Sequence, residues 1–213
     1  MSEQTPRERF NRGTIQPSTL APGSGRTANV SVSIVFETHS LTEDNERGIA
    51  TGWLPGKLSA RGRTLARELG DRRLHDRIAA VFPSDLARAV ETATIAFAGT
   101  GIPILPDARL RECDYGDLNG CPAGQLHGTR AAHIATPYPD GQSFSEVAAD
   151  VDVFLAGLAA AWDGKRVLLI GHTATRWALD KLILGVPLEQ SVDAPFDWKP
   201  GWEYVLRRNS VHS

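Results

Sequence analysis

Short apolar runs alternate with longer amphipathic stretches along most of the chain. Runs of aliphatic and β-branched residues predict buried strands at 32–36, 78–82, 102–105 and 166–171, and the stretch 202–208 predicts a last strand. Helical spacing of apolar residues predicts helices over 59–73, 84–99, 143–162 and 173–185. Because strands that alternate with helices pair in parallel through right-handed crossovers, the pattern predicts an α/β fold, a three-layer α/β/α sandwich around a mostly parallel sheet.

The first 29 residues differ from the rest of the chain. They contain several prolines and glycines and little periodicity, so they cannot bury enough apolar area to offset the entropy of ordering. The stretch 1–29 is therefore predicted to be a flexible N-terminal leader, and 30–213 is predicted to be a single domain. The leader mixes charges of both signs and has no apolar core, which is not the pattern of a secretory signal.

Composition excludes several classes of protein. The chain of 213 residues has a formal net charge of −2, which does not support a chain-wide basic surface for nucleic acid. No apolar run approaches the roughly 20 residues that a membrane span requires. Two cysteines are too few for a disulfide framework or for a zinc site built from cysteines. We expect a cytoplasmic protein that binds neither nucleic acid nor membranes.

Two histidines and two charged residues mark the candidate site. His39 and His172 directly follow predicted strands, and ligands of such sheets bind beyond the carboxyl ends of the strands. A neutral imidazole is a competent nucleophile near pH 7, and phosphoryl transfer further requires cations for the phosphate oxygens and an acid for the leaving group. Arg88 and Glu112 fit these requirements, so the predicted chemistry is phosphoryl transfer through histidine without a metal or cofactor.

Four segments resemble the phosphoglycerate mutase-like branch of the histidine phosphatase superfamily. The similarity is closest at SDLARAVETA (84–93), which matches the family's Ser-Asp-Leu-x-Arg-Ala-x-x-Thr-Ala. LRECDYGDLNG (110–120) resembles Leu-x-Glu-x-x-x-Gly-x-x-x-Gly, and GHTATRWAL (171–179) resembles Ser-His-Gly-x-x-x-Arg-x-Leu. THSLTEDN (38–45) occupies the place of Arg-His-Gly-x-Ser/Thr-x-x-Asn. The resemblance spans about residues 30 to 207 in the family's order.

This resemblance implies a role for each matching residue. His39 falls on the phosphorylated nucleophile and Glu112 on the proton donor. Arg88 and His172 fall on positions that clamp the phosphate. The resemblance implies further substrate-binding positions at Asn45, Thr38, Ser40 and Arg176.

The first motif departs from the family pattern. Thr38 stands where the family has arginine, and its single hydroxyl replaces a planar guanidinium that could bind two phosphate oxygens. Ser40 replaces a glycine beside the nucleophile. Glu37 brings a carboxylate near an anion site, where it repels phosphate unless it is paired or points away. Arg47 is a candidate substitute cation.

Three functions therefore remain open. The first is hydrolysis of a small phosphomonoester through phospho-His39. The second is a non-catalytic or weakly active member that binds a phosphorylated ligand, and the third is different chemistry in the same pocket. Mutase activity is less favoured because the pocket is predicted to be poor in cations. The expected partner is a small phosphorylated molecule, and the sequence leaves the oligomeric state open, a homodimer included.

Overall fold

The computed structural model describes residues 29–192, 194–195 and 197–209. Four strands form one sheet in the order β2-β3-β1-β4: β1 (Asn29–Thr38), β2 (Ala80–Pro83), β3 (Arg166–Gly171) and β4 (Trp202–Asn209). β3 pairs in parallel with both β1 and β2, whereas β4 pairs antiparallel with β1. The predicted leader lies outside the described residues except for Asn29, which begins β1.

Helices cover both faces of this sheet. They are α1 (Glu43–Glu46), α2 (Ala60–Arg73), α3 (Ala87–Ala96), α4 (Ala123–His127), α5 (Phe144–Ala161), α6 (Thr173–Leu179) and α7 (Leu188–Val192). A π-helical turn, Asp180–Leu184, continues α6, and short 3-10 turns lie at Ala108–Leu110, Gly116–Leu118 and Arg130–His133. None of the helices in the described part of the chain is long and apolar enough to cross a membrane.

The two faces of the sheet bury separate clusters of side chains. Ile34 and Phe36 of β1 pack with Leu155 of α5 on one face. Val35 of β1 packs with Leu69 of α2 on the other face. Because side chains alternate along a strand, the continuous run VSIVF fills both clusters. The predicted three-layer α/β/α sandwich is confirmed.

One predicted strand is wrong. The stretch 102–105 pairs with β2 only through an isolated parallel bridge between Ile104 and Val81. Two hydrogen bonds make the contact, from Val81 N to the Pro103 carbonyl (2.9 Å) and from Leu105 N to the Val81 carbonyl (2.8 Å). Pro103 has no N–H group to extend the ladder, so the segment lies along the edge of β2 without becoming a strand.

The helix predicted for 84–99 is shorter at its start. α3 begins at Ala87, because the two preceding polar residues use their side chains elsewhere: Ser84 bonds to His172 and Asp85 to Arg111. Ser59, the first residue of the helix predicted over 59–73, is the N-cap of α2, since its side chain accepts a hydrogen bond from the backbone of Gly62 at 3.0 Å.

Candidate active site

The two candidate histidines meet at the carboxyl end of the sheet. β1 and β3 are adjacent and parallel, and Thr38 lies opposite Gly171 at the ends of the two strands. The backbone N–H of His39 donates to the Gly171 carbonyl at 2.9 Å. The imidazole centroids of His39 and His172 are consequently 5.0 Å apart, with the rings tilted by 53°. The structure thus brings together two residues that are far apart in the sequence.

His39 is held in one tautomer. Its Nδ1 lies 2.8 Å from the carbonyl oxygen of Ser40. Because a carbonyl only accepts hydrogen bonds, Nδ1 carries the proton and the lone pair is left on Nε2. Burial and the nearby charge of Arg88 lower the pKa of His39 to about 3, against a smaller opposite effect of the Ser40 carbonyl. His39 is therefore a neutral imidazole at pH 7, with Nε2 unprotonated.

His172 is also neutral but has both ring nitrogens occupied. Its Nε2 lies 2.7 Å from the Ser84 hydroxyl, and its Nδ1 lies 3.3 Å from the guanidinium of Arg88. Since arginine can only donate, Nδ1 accepts this hydrogen bond and Nε2–H donates to Ser84. Burial lowers the pKa of His172 well below its ordinary value, and the charge of Arg88 acts in the same direction. Ser84 is therefore a residue of the site, although the sequence motif alone assigned no role to it.

Arg88 links the histidines to the loop that follows α1. Its Nη2 donates to the Gly52 carbonyl at 2.8 Å, and Nη1 is 3.4 Å from the Leu54 carbonyl. Desolvation lowers the pKa of this buried guanidinium, and the carboxylate of Glu112 opposes that shift. Arg88 is thus a buried cation whose acceptors are two backbone carbonyls of the 52–54 loop and Nδ1 of His172.

Glu112 is oriented by backbone N–H groups. Its Oε1 accepts hydrogen bonds from Cys113 N at 2.9 Å and from Ala174 N, in the first turn of α6, at 3.3 Å. Its own carbonyl accepts a hydrogen bond from the Trp53 indole at 2.6 Å. The carboxylate is therefore fixed beside His172 through one oxygen, while no residue in the described ranges hydrogen-bonds to Oε2.

A cleft of about 690 Å³ opens at the two histidines. Its size is within the range of small-molecule sites, and its surface is mostly apolar. It is lined by Glu37, Thr38, His39, Ser40, Leu41, Asn45, Arg61, Leu65, Glu68, Leu69, Arg72, Ala123, His127, His172, Thr173 and Trp198. Arg88 and Glu112 do not line this cleft, so five of the eight predicted site residues lie in its wall together with a face of α2.

Two of the three predicted substrate-binding residues at the cleft have other contacts. The side-chain Oδ1 of Asn45 accepts a hydrogen bond from Thr42 N (3.1 Å) in the capping box of α1. The Ser40 hydroxyl donates to the Gly62 carbonyl at 2.6 Å, which docks the start of α2 against the residue after His39. A Cβ at Gly62 would lie 1.9 Å from the Leu41 carbonyl oxygen, so only glycine allows this approach. Thr38 ends β1 at the cleft wall.

Arg176 lies away from the cleft. Its guanidinium packs over the ring of Trp202 at 5.3 Å, and its Nη1 is 3.8 Å from Asp180. Arg47, the candidate substitute cation, forms an ion pair with Asp44. Neither arginine is part of the cleft wall.

Glu37 is paired. The side chain is only 1% exposed, and its Oε1 accepts hydrogen bonds from Nε and Nη2 of Arg73 at 2.9 and 2.6 Å. Arg72 contributes a longer ion pair of 3.6 Å to Oε2. The repulsion expected between Glu37 and phosphate is therefore offset by two arginines of α2. In the sequence, the Arg-Arg pair in the last turn of α2 indicates that this helix end can bind a carboxylate. The sequence does not indicate that the carboxylate is Glu37.

No group of three or more histidine, cysteine or acidic side chains among the described residues could hold a metal ion. Cys113 is buried, and desolvation raises the pKa of its thiol far above the ordinary value. A thiol with a raised pKa is a poor nucleophile at neutral pH, so Cys113 is a packing residue in this structure.

Comparisons with known proteins agree with this arrangement. The family model of the histidine phosphatase superfamily (branch 1) matches residues 34–198. The chain is 31% identical over 168 residues to the probable phosphoglycerate mutase GpmB of Enterobacter sp. (strain 638), covering 73% of this chain and 76% of the relative. It is 32% identical over 193 residues to the 2,3-bisphosphoglycerate-dependent phosphoglycerate mutase of Methylobacterium radiotolerans, covering 83% and 90%.

Solved structures show the same architecture. YhfR of Bacillus stearothermophilus superposes with a TM-score of 0.70 at 26% identity, covering 82% of this chain and 90% of that chain. A mycobacterial glucosyl-3-phosphoglycerate phosphatase in complex with VO3 superposes with a TM-score of 0.66 at 29% identity, covering 76% and 86%. The family match, the fold and the pair of histidines at the sheet edge lead to one conclusion: the chain belongs to the histidine phosphatase superfamily.

Proposed function

We propose that the protein hydrolyses small phosphomonoesters through a phosphohistidine formed on His39. The observation that carries the proposal is the 2.8 Å contact between His39 Nδ1 and the Ser40 carbonyl, which leaves the Nε2 lone pair available in a cleft of substrate size. The mutase and phosphatase names of the relatives support phosphoryl transfer in general.

In the first step, Nε2 of His39 attacks the phosphorus atom, the N–P bond forms and the P–O bond to the leaving group breaks. Glu112 protonates the leaving oxygen, so the alcohol departs neutral. Because Oε1 is fixed by two N–H groups, Oε2 is the oxygen that carries this proton. Arg88 places a buried positive charge close to both histidines, where it stabilises the charge on the transferred phosphoryl group.

In the second step, Glu112 takes a proton from water as that water attacks phosphorus. The N–P bond breaks, inorganic phosphate is released and His39 returns to its neutral form. His172 contributes without changing its proton in this sequence: its neutral ring is oriented by Ser84 and Arg88 and borders the transferred group. His39, Glu112 and Arg88 therefore supply the nucleophile, the acid and one cation.

The test is phosphate release from a panel of phosphomonoesters by the wild-type protein, His39→Ala and Glu112→Gln. We expect no turnover with His39→Ala. Glu112→Gln is expected to lower kcat/KM, which reports the first step, by about 10²- to 10⁴-fold for alkyl phosphates, because their leaving group requires a proton. The loss should be much smaller for 4-nitrophenyl phosphate, whose phenolate leaves unprotonated. Equal losses for both substrates would remove Glu112 from the role of acid.

A second candidate is binding of a phosphorylated ligand without turnover. The observation in its favour is that the guanidinium of Arg88 already contacts two loop carbonyls and His172, while Thr38 carries no charge. This function predicts that inorganic phosphate binds to the protein, with an affinity that depends on the cleft residues, while every phosphomonoester of the panel remains intact.

A further inference from the structure

A phosphoryl group on His39 requires a cation that opens into the cleft. The group carries up to two negative charges, and its transfer depends mainly on donors that hold the equatorial oxygens. Arg88 does not line the cleft, and three hydrogen-bond contacts already occupy its terminal nitrogens. Thr38, at the end of β1, offers one neutral hydroxyl. The cation that faces the cleft must therefore come from another element.

α2 presents two arginines to the same cleft. Arg61 and Arg72 line it together with Leu65, Glu68 and Leu69, a spacing that places all five residues along one face of the helix. Arg61 lies in the first turn, beside the Gly62 carbonyl that Ser40 contacts. Arg72 lies in the last turn, beside Glu37. Arg72 is therefore the cleft arginine whose carboxylate partner directly precedes Thr38 in the chain, and both Arg72 and Thr38 line the cleft.

The contact between Arg72 and Glu37 positions the guanidinium and leaves most of its N–H donors available. A guanidinium has five N–H donors in a planar fork, and the only ion pair of Arg72 among the described residues is the 3.6 Å contact of Nη2 with Glu37 Oε2. The side chain is 32% exposed, so its remaining donors are open to the cleft. Glu37 does not depend on Arg72 for neutralisation, because Arg73 binds its other oxygen twice.

We propose that Arg72 binds the phosphoryl oxygens beside His39, anchored by Glu37, and so supplies from α2 the cation that position 38 lacks. The inference rests on the proposed phosphoryl transfer at His39. It gives Glu37 a role as a positioning residue, since this buried carboxylate holds Arg72 at the level of Thr38. The ligand class is a phosphate monoanion or dianion, as the free ion or as the phosphoryl group of an ester.

The first experiment measures binding of inorganic phosphate by calorimetry, which is independent of turnover. Arg72→Gln should weaken binding about 10- to 100-fold, the range for losing a charge-assisted hydrogen-bond pair. Arg67→Gln is the matched control, because Arg67 lies exposed on α2, outside the cleft wall, with its Nη1 3.4 Å from the Arg63 carbonyl. It should stay within twofold of wild type. Equal affinities of Arg72→Gln and wild type, or no phosphate binding by wild type, would overturn the proposal.

The second experiment is a rescue. Thr38→Arg in the Arg72→Gln background restores a guanidinium at the end of β1, and we expect it to regain at least tenfold in phosphate affinity and in kcat/KM for 4-nitrophenyl phosphate. Arg72→Lys keeps the charge but loses the planar fork, so it should fall between wild type and Arg72→Gln. Failure of the double variant to exceed Arg72→Gln would show that Arg72 stabilises the cleft without binding the anion.

The two proposals fail in different ways. If phosphate binding depends on Arg72 but no ester is turned over in a His39-dependent manner, the anion site stands and hydrolysis is refuted. If turnover depends on His39 while Arg72→Gln matches Arg67→Gln in both binding and kcat/KM, hydrolysis stands and the role of Arg72 is refuted.

Discussion

The buried pair of Glu37 and Arg73 should be essential for stability. Arg73→Met keeps the aliphatic part of the side chain and removes the guanidinium that binds Glu37 Oε1 at 2.9 and 2.6 Å. Glu37 is 1% exposed, and removing one partner of a buried ion pair costs about 3–5 kcal/mol. Arg72 remains 3.6 Å from Oε2 and offsets part of this cost, so we expect a loss of about 3 kcal/mol.

Arg73 also anchors the segment before β4. Its Nη2 donates to the Pro200 carbonyl at 3.0 Å, in the same segment as Trp198, which lines the cleft. The variant should therefore loosen the cleft wall as well as lower the free energy of unfolding. For a chain of this size about 3 kcal/mol corresponds to a fall in Tm of roughly 6–12 °C.

Urea unfolding of wild type, Arg73→Met and the control Arg67→Met measures this loss. Arg67 lies exposed on the same helix, so its substitution should change stability by no more than about 0.5 kcal/mol. The double variant Glu37→Gln/Arg73→Met removes the buried charge and should recover part of the loss. If Arg73→Met loses less than about 1 kcal/mol, the pairing of Glu37 as described here is refuted.

Three further predictions concern the site. Gly62→Ala should destabilise the protein and lower activity, because its Cβ would lie 1.9 Å from a backbone oxygen after β1; Gly157→Ala, with nothing within 4 Å, should be neutral or stabilising in the same thermal melts. The pKa of His39, lowered to about 3, means that the unfolded chain takes up a proton below pH 6.5 that the folded chain does not. His39 should therefore lower the free energy of unfolding by about 1.4 kcal/mol per pH unit below 6.5, and His172 acts in the same direction; His39→Gln should reduce the slope by the His39 share in urea titrations at pH 7 and 5. Ser84→Ala leaves the buried Nε2–H of His172 without its acceptor, which should cost about 1–3 kcal/mol in urea unfolding; an unchanged free energy of unfolding would contradict this hydrogen bond.

The fold followed from hydrophobic periodicity because three of the five predicted strands, 32–36, 78–82 and 166–171, are mostly apolar runs buried on both faces of the sheet. The run 166–171 coincides with β3, and 32–36 forms the centre of the longer β1. The stretch 102–105 has the same composition, but Pro103 prevents a continuous ladder. Whether the stretch 102–105 forms a strand depends on how it pairs with the edge of β2. A local sequence pattern carries no information about that pairing.

The core of the site was also predictable in part. His39 and His172 were expected to meet because parallel strands end at one edge, and the structure places their rings 5.0 Å apart. The contacts of Arg61, Arg72 and Trp198 depend on how α2 and the segment before β4 dock onto that edge, and the contact of Ser84 depends on the pairing of β2 with β3. The local sequence does not specify how these elements pack onto the sheet edge, so the four residues could not be predicted as parts of the site.

The roles of single arginines were the hardest to predict. Arg176 follows the second histidine in the motif, yet it packs on Trp202, outside the cleft wall. Arg47 pairs with Asp44 in its own helix turn, whereas Arg72, on an ordinary helix, faces the cleft. A long cationic side chain can reach several partners, and which one it binds depends on carboxylates that only the folded chain brings close.

The most direct test of the central claim is to detect the phosphohistidine. Wild-type protein, His39→Ala and Glu112→Gln are mixed with 4-nitrophenyl phosphate, quenched in alkali where phosphohistidine persists, and analysed by mass spectrometry of the peptide that contains residue 39. We expect a phosphoryl group on His39 in wild type and a larger amount in Glu112→Gln, where water is no longer activated. We expect none in His39→Ala. Turnover by wild type without any phosphoryl group on His39, or equal turnover by His39→Ala, would refute the phosphohistidine mechanism.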